Sequence, residues 1–177
     1  QKKHIISPEF KQAGNNIYHF YHQNKENGLP DYETLKEVFD FVHQQIKAGN
    51  IVSVKTIKDG GAAVSLAKMC FGNHLGAEVE LAESQVLEKN IGGFIIESKT
   101  ELAHSQLHKI GKVSEGKTLV INKKAFDLGK LLLAYTQTFE NLFPTAEPDR
   151  IEINIDEKLN STSPKNIIIK KHNIAKP

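Results

Sequence analysis

The chain has 177 residues, 39% hydrophobic and 25% charged, which suits an ordinary water-soluble globular protein with one sizeable core or a domain plus an extension. A net charge of +2 and a pI near 8.5 argue against nucleic acid as partner, because such proteins gather Lys and Arg on one face. No apolar run approaches the roughly 20 residues of a membrane helix, and the single Cys70, with no signal-peptide core behind Lys2-Lys3, excludes an internal disulfide and fits a reducing cytoplasm.

Residues 1–16 are polar, punctuated by Pro8 and Gly14, and read as an approach segment. Ile17–Tyr21 (IYHFY) is rich in β-formers after the turn-like Gly14-Asn15-Asn16 and predicts a strand. With no Cys or carboxylate completing a metal set, His19 and His22 read as surface histidines on an edge strand. Asp31 is placed to cap a helix over Tyr32–Ala48, whose Leu35, Val38, Phe39, Val42 and Ile46 share one face and which Gly49 stops.

Ile51–Val54 reads as a buried strand, followed by Asp59-Gly60-Gly61, a helix from Ala62 to about Phe71 and a glycine-containing exit over Gly72–Gly76. Glycines turn sharply from strand to helix and leave N–H groups bare, which together with the helix dipole suits an anion. The same residues serve equally as a tight turn with Asp59 as helix cap, since a lone Gly-Gly lacks the spacing of a dinucleotide fingerprint or a P-loop. Cys70 has no cationic neighbour in sequence and reads as a small core residue; His74 fits a turn or a functional role.

Residues 77–92 are acidic and read as irregular. Gly93–Ser98 (GFIIES) predicts a strand, and Leu102, Leu107 and Ile110 a short helix. His104 and His108 would stand at i and i+4 on it, but without the glutamate and third ligand of a zinc motif they read as an exposed face. Glu115-Gly116 and the strand Thr118–Ile121 predict a hairpin or near-hairpin from residue 110. Ala125–Leu142 predicts a long helix ended by Pro144, and 145–164 a linker with one strand at Ile151–Ile155. Ile167–Ile169 reads as the start of a strand of something further, so the chain looks truncated. The order predicts an α+β fold: a mixed sheet covered by helices in three layers. The expected division is 1–16 approach segment, 17–143 domain and 144–177 linker.

The segments LKEVFDFVHQQIKAGNIVSVKTIKDGGAAVSLAKMCFGNHLG, NIGGFIIES and LHKIGKV, followed by a long helix and the tail KKHNIAKP, resemble the carboxy-terminal half of an aminoimidazole-ribonucleotide-synthetase-type module. The closer resemblance, over about residues 15–177, is to the second such module of the phosphoribosylformylglycinamidine synthase family. That resemblance implies an ATP-dependent ligase of purine biosynthesis acting on formylglycinamide ribonucleotide, with upstream modules of the same type and a downstream glutaminase domain as partners. ATP would phosphorylate the amide oxygen to an iminophosphate, and ammonia from glutamine would displace phosphate. The fragment alone would be inactive.

It further implies a nucleotide site at Lys58, Asp59, Gly60 and Gly61. The family usually reads His-Asp-x-Ser before the doublet, the Asp serving Mg²⁺ and the Ser the nucleotide; here Thr56 and Lys58 stand at those positions. A hydroxyl is a poor Mg²⁺ ligand, whereas a lysine meets phosphate as a point charge. Mg²⁺ binding on this module is therefore expected to be weakened or lost. Glu83-Ser84-Gln85 matches a substrate triplet of the family's first module, but it is separated from the Gly93 strand and reads as coincidence. Two other readings stand beside the ligase fragment: another member of the superfamily, such as aminoimidazole ribonucleotide synthetase or a related kinase, and a module that has lost catalysis and serves as a scaffold.

Overall fold

The computed structural model describes residues 4–140 and 142. The readings at Pro144, Ile151–Ile155 and Ile167–Ile169 lie outside them. Seven strands form one mixed sheet in the order β2-β4-β1-β5-β3-β6-β7: β1 Asn16–Phe20, β2 Ile51–Thr56, β3 Gly76–Val79, β4 Phe94–Ser98, β5 His108–Ser114, β6 Thr118–Ile121 and β7 Lys124–Asp127. The helices are α1 Tyr32–Ala48, α2 Gly61–Phe71, α3 Glu83–Leu87 and α4 Leu128–Glu140.

Side chains alternate across a strand, so β1 and β4 feed two separate cores. Ile17 and Ile95 face the core of α2, with Leu66, Met69 and Cys70. Tyr18, Phe20, Phe94 and Ile96 face the other, with Val38 and Val42 of α1. Helices therefore cover both sides of the sheet, in the three expected layers. Alpha1 ends where expected: Gly49 takes φ +80°, and its N–H and that of Asn50 donate to the Ile46 and Gln45 carbonyls at 3.0 Å each, a Schellman ending that only a residue tolerant of positive φ makes cheaply.

Several elements differ from expectation. Residues 77–92 contain β3 and α3; Ala77, Val79 and Leu81 point inward between exposed Glu78 and Glu80, an alternation masked by its acidic composition. Beta3 lies between β5 and β6, antiparallel to the first and parallel to the second, so no hairpin joins β5 to β6. The true hairpin is β6–β7, turned at Asn122 and Lys123, both at positive φ (49° and 67°), the geometry of a two-residue primed turn. Its second strand occupies the first residues read as helix, and α4 starts at Leu128, where the Asp127 carboxylate accepts the Lys130 N–H at 2.9 Å as a cap. No helix forms over 101–107. Leu102 and Leu107, five residues apart, would diverge by about 140° on a helix; an irregular segment lets both enter the α1 core, pinned by the Leu102 N–H on the Tyr18 hydroxyl at 3.0 Å. In α1, Phe39 is half-exposed while Phe41 packs 4.7 Å from the His104 ring.

Beta1 is an inner strand, so His19 and His22 are buried, at 2% and 4% exposure. His22 Nε2 accepts the Asp31 N–H at 3.3 Å, and the Asp31 carboxylate accepts from the Thr34 hydroxyl at 2.8 Å instead of from a helix amide. Opposite Ile17 in the sheet, Glu97 is fully buried. Its carboxylate accepts three hydrogen bonds: from the Lys11 N–H (2.8 Å), the Gln12 N–H (3.0 Å) and the Asn15 amide (2.7 Å). This clasp, with Phe10 in the α2 core, fastens residues 10–15 to the sheet.

Two expectations follow. Glu97→Ala leaves those donors without an acceptor and should lower stability by about 3–5 kcal/mol in urea unfolding. Burial, and secondarily the charge of His108, holds the His19 imidazole down from 6.5 to about 4. Because the folded value lies below the unfolded one, the stabilisation is whole above about pH 6.5 and is lost as pH falls toward 4; His19→Phe should shrink that decline by on the order of 3 kcal/mol.

Candidate functional site

The corner joining β2 to α2 carries the residues singled out in the sequence. Beta2 continues its pairing past Thr56, the Ile57 N–H donating to the Gly93 carbonyl at 3.0 Å. The chain then reverses through Gly60 and Gly61 at φ +87° and +67°. A Cβ on Gly60 would lie 2.4 Å from Val64 Cγ2, and one on Gly61 would lie 2.5 Å from the Leu87 backbone carbon. Glycine is required twice over, for the left-handed backbone and for the approach of α3.

Lys58, Asp59, Gly60 and Gly61 thus share one turn, but not all of its amides are bare. The Gly61 N–H donates to the Lys58 carbonyl at 3.0 Å and the Val64 N–H to the Gly60 carbonyl at 3.3 Å. Gly61 is buried and Gly60 half-buried. The helix cap is Gly60 rather than Asp59: the Asp59 carboxylate faces Lys89, with 3.0 Å between Oδ1 and Nζ, in an exposed pair. Exposed pairs of this kind contribute at most about 1 kcal/mol. Lys58 is exposed.

Two lysines that sequence reasoning missed join this corner. Lys55, on β2, is half-buried, and its ammonium is held below the ordinary lysine range by burial and by the charges of Lys68 and Lys58. Lys68 of α2 sits with Nζ 4.6 Å from the centre of the Tyr135 ring, a cation–π contact. The signal was present in the sequence: Lys55 is the one charge in the otherwise uncharged strand Ile51–Thr56.

A Mg²⁺ ion asks for carboxylate and carbonyl oxygens. Thr56, at the family's acidic position, offers an exposed hydroxyl, the turn's carboxylate is engaged by Lys89, and the neighbouring Lys55 feels the positive charges of Lys68 and Lys58. The residues present do not fit a divalent cation.

Two hollows flank the corner. One, of about 500 Å³, lies between the end of β1 and the loop after α3, with Tyr21, His22, Glu88, Lys89 and Asn90 on its walls. The Tyr21 hydroxyl donates to Glu88 at 2.9 Å, and the Asn90 side chain holds the His22 backbone with bonds of 2.9 and 2.8 Å. The other, of about 610 Å³, is largely apolar, with Val64, Ala67, Leu87, Ile121, Phe126 and Leu131 among its lining residues. Cys70 is fully buried, and burial alone pushes its thiol up to about 12, which leaves it protonated and unreactive. His74 takes φ +54° in the turn after α2. His104 lies in the irregular segment and His108 on β5, so they do not share a helix face. Glu83-Ser84-Gln85 forms the first part of α3.

Gly61→Ala adds both left-handed strain and overlap with Leu87 and should cost about 3 kcal/mol in urea unfolding; an Ala at Gly116, where a Cβ meets nothing within 4 Å, should cost only the backbone strain.

Residues 11–135 match the family model described as AIR synthase related protein, C-terminal domain. The phosphoribosylformylglycinamidine synthase subunit PurL of Methanocaldococcus jannaschii is 35% identical over 83 residues, 45% of this chain and 11% of that protein. The subunit of the same name from Sulfurimonas denitrificans is 26% identical over 166 residues, 78% of this chain and 22% of that protein. This chain therefore spans at most about a fifth of either relative. Phosphoribosylformylglycinamidine synthase II of Thermotoga maritima superposes with a TM-score of 0.57 over 71% of this chain and 27% of its own, at 12% identity, which shows a shared fold. Matched by the family model over most of its length, the chain belongs to the family of AIR synthase related protein C-terminal domains.

Proposed function

We propose that the chain is part of a phosphoribosylformylglycinamidine synthase and forms the carboxy-terminal half of its second AIR-synthase-type module. The observation that supports this most is that relatives from distant organisms bearing the PurL name align over 45% to 78% of the chain. Thermotoga maritima PurL has been solved with ATP and with FGAR, which supports a nucleotide and a ribonucleotide as ligands of the whole enzyme. The parent reaction is ATP-dependent amidation in the cytoplasm. Residues 17–143, with the 10–16 stretch that the Glu97 clasp and Phe10 fasten to them, serve as the domain, 144–177 as a linker, and upstream modules and a glutaminase domain as partners.

The chemistry asks for little from this segment in covalent terms. Phosphoryl transfer to an amide oxygen is driven by positioning and by charge held around the phosphoryl oxygens with water excluded. Lys58, Asp59, Gly60 and Gly61 are the proposed nucleotide contacts. Lys58 supplies positive charge, Asp59 orders the neighbouring loop through Lys89, and the two glycines let the backbone turn without a Cβ. ATP and Mg²⁺ belong to the parent reaction, with the metal held elsewhere than on Thr56.

A second reading has its own support. Thr56 and Lys58 replace the family's metal-binding and nucleotide-binding side chains, which favours a module that stabilises the enzyme around a bound nucleotide over one that turns over.

Grafting this chain in place of the corresponding domain of Thermotoga maritima PurL should preserve ATP-dependent consumption of FGAR. A folded, ATP-binding graft without turnover would overturn the ligase reading. In an active graft, Lys58→Ala should lower turnover while leaving the melting temperature without nucleotide unchanged, as loss of a phosphate contact requires; a melting temperature that falls in the presence of nucleotide, with turnover per folded molecule unchanged, would instead favour the stabilising module.

A further inference from the structure

The misfit to a divalent cation has a structural counterpart in the cluster of lysines around the end of β2. Ile57 packs in the α2 core, while Val54 packs against the α1 core, so alternation along the strand puts Lys55 on the α2 side. Alpha2 folds back along β2, with the Ser65 hydroxyl 3.3 Å from the Thr56 carbonyl. Lys68 lies one turn beyond Ser65 on the helix and so comes alongside Lys55, its Nζ over the Tyr135 ring at 4.6 Å. Lys58 emerges at the exit of the same strand and is exposed. Among the described residues, none of the three forms an ion pair with a carboxylate.

The charges of Lys68 and Lys58 act on the Lys55 ammonium, and an arriving anion relieves such repulsion. Burial strengthens the demand at Lys55, whose charge has lost part of its hydration. A phosphate group, with its several anionic oxygens, can meet three separate ammonium groups at once, and lysine meets it as a mobile point charge.

We propose that Lys55, Lys58 and Lys68 form a phosphate-binding site that works without a divalent cation. The site deepens the nucleotide reading of this corner but needs only that the ligand carry a phosphate group. The phosphate can come from a nucleotide or from inorganic phosphate chains, which share this chemistry. If instead the lysines serve only to keep β2, an edge strand of the sheet, from pairing with other chains, phosphate binding will not depend on them.

The test is calorimetric titration of the 177-residue chain with ADP and, separately, with inorganic pyrophosphate, in EDTA and in excess Mg²⁺. Both should bind in EDTA, and Mg²⁺ should weaken binding by competing for the phosphate oxygens. Lys55→Gln and Lys58→Gln should each weaken it about tenfold, and the double variant about a hundredfold, with unchanged circular dichroism melts. Tighter binding of ADP than of pyrophosphate would identify a nucleotide as the source, and equal binding the phosphate alone. Binding that requires Mg²⁺, equal affinity in the double variant, or no binding by either probe would overturn the proposal; aggregation of Lys55→Gln without a binding change would assign the lysine to edge protection. Metal-free binding alongside an inactive graft would remove the ligase reading and leave this site standing, and Mg²⁺-dependent binding alongside an active graft would do the reverse.

Discussion

At Gly61 two backbones meet more closely than any side chain allows, and the arrangement of the corner depends on that contact. The end of α3 lies against the first turn of α2, with the Leu87 backbone filling the place a Cβ would take. From there the following loop delivers Lys89 to Asp59 and Asn90 to the backbone of His22. The wall between the glycine turn and the polar hollow is thus set by one missing methyl group. The same contact costs the helix terminus part of its capacity for anions, since the Gly61 amide already has a carbonyl partner. Positive charge at this corner comes chiefly from side chains.

The long periodic elements were legible because their patterns are strong. Alpha1 carries Val38 and Val42 inward and a glycine at its end, and β4 is five consecutive buried residues. Beta3 was not, although Ala77, Glu78, Val79 and Glu80 alternate as a strand should. Two of those four are acidic and one is alanine, a weak strand former, so local composition outweighed a pattern that pairing with β5 and β6 makes decisive. The burial of His19 was likewise invisible, because whether β1 is an edge or an inner strand depends on partners 74 to 96 residues away in sequence. The segment around Leu102 and Leu107 misled for the opposite reason: apolar residues that serve one core were taken for one helical face.

The candidate site was half legible. The glycine turn and Lys58 could be read directly, while Lys55 and Lys68 sit thirteen residues apart in the sequence and meet only because α2 doubles back along β2. Resemblance to the family directed attention to what had been lost at Thr56. The fold shows what had accumulated beside it. A corner with a threonine at the family's acidic position and lysines beside it favours anions over cations.

The Glu97 clasp joins amides of residues 11 and 12 to a carboxylate about 85 positions downstream. Closing so wide a loop is entropically costly until the strand bearing the carboxylate is already paired. Residues 11 and 12, although synthesised before β4, can then be clasped only after that strand has paired. The order of synthesis and the order of assembly run in opposite directions across this sheet.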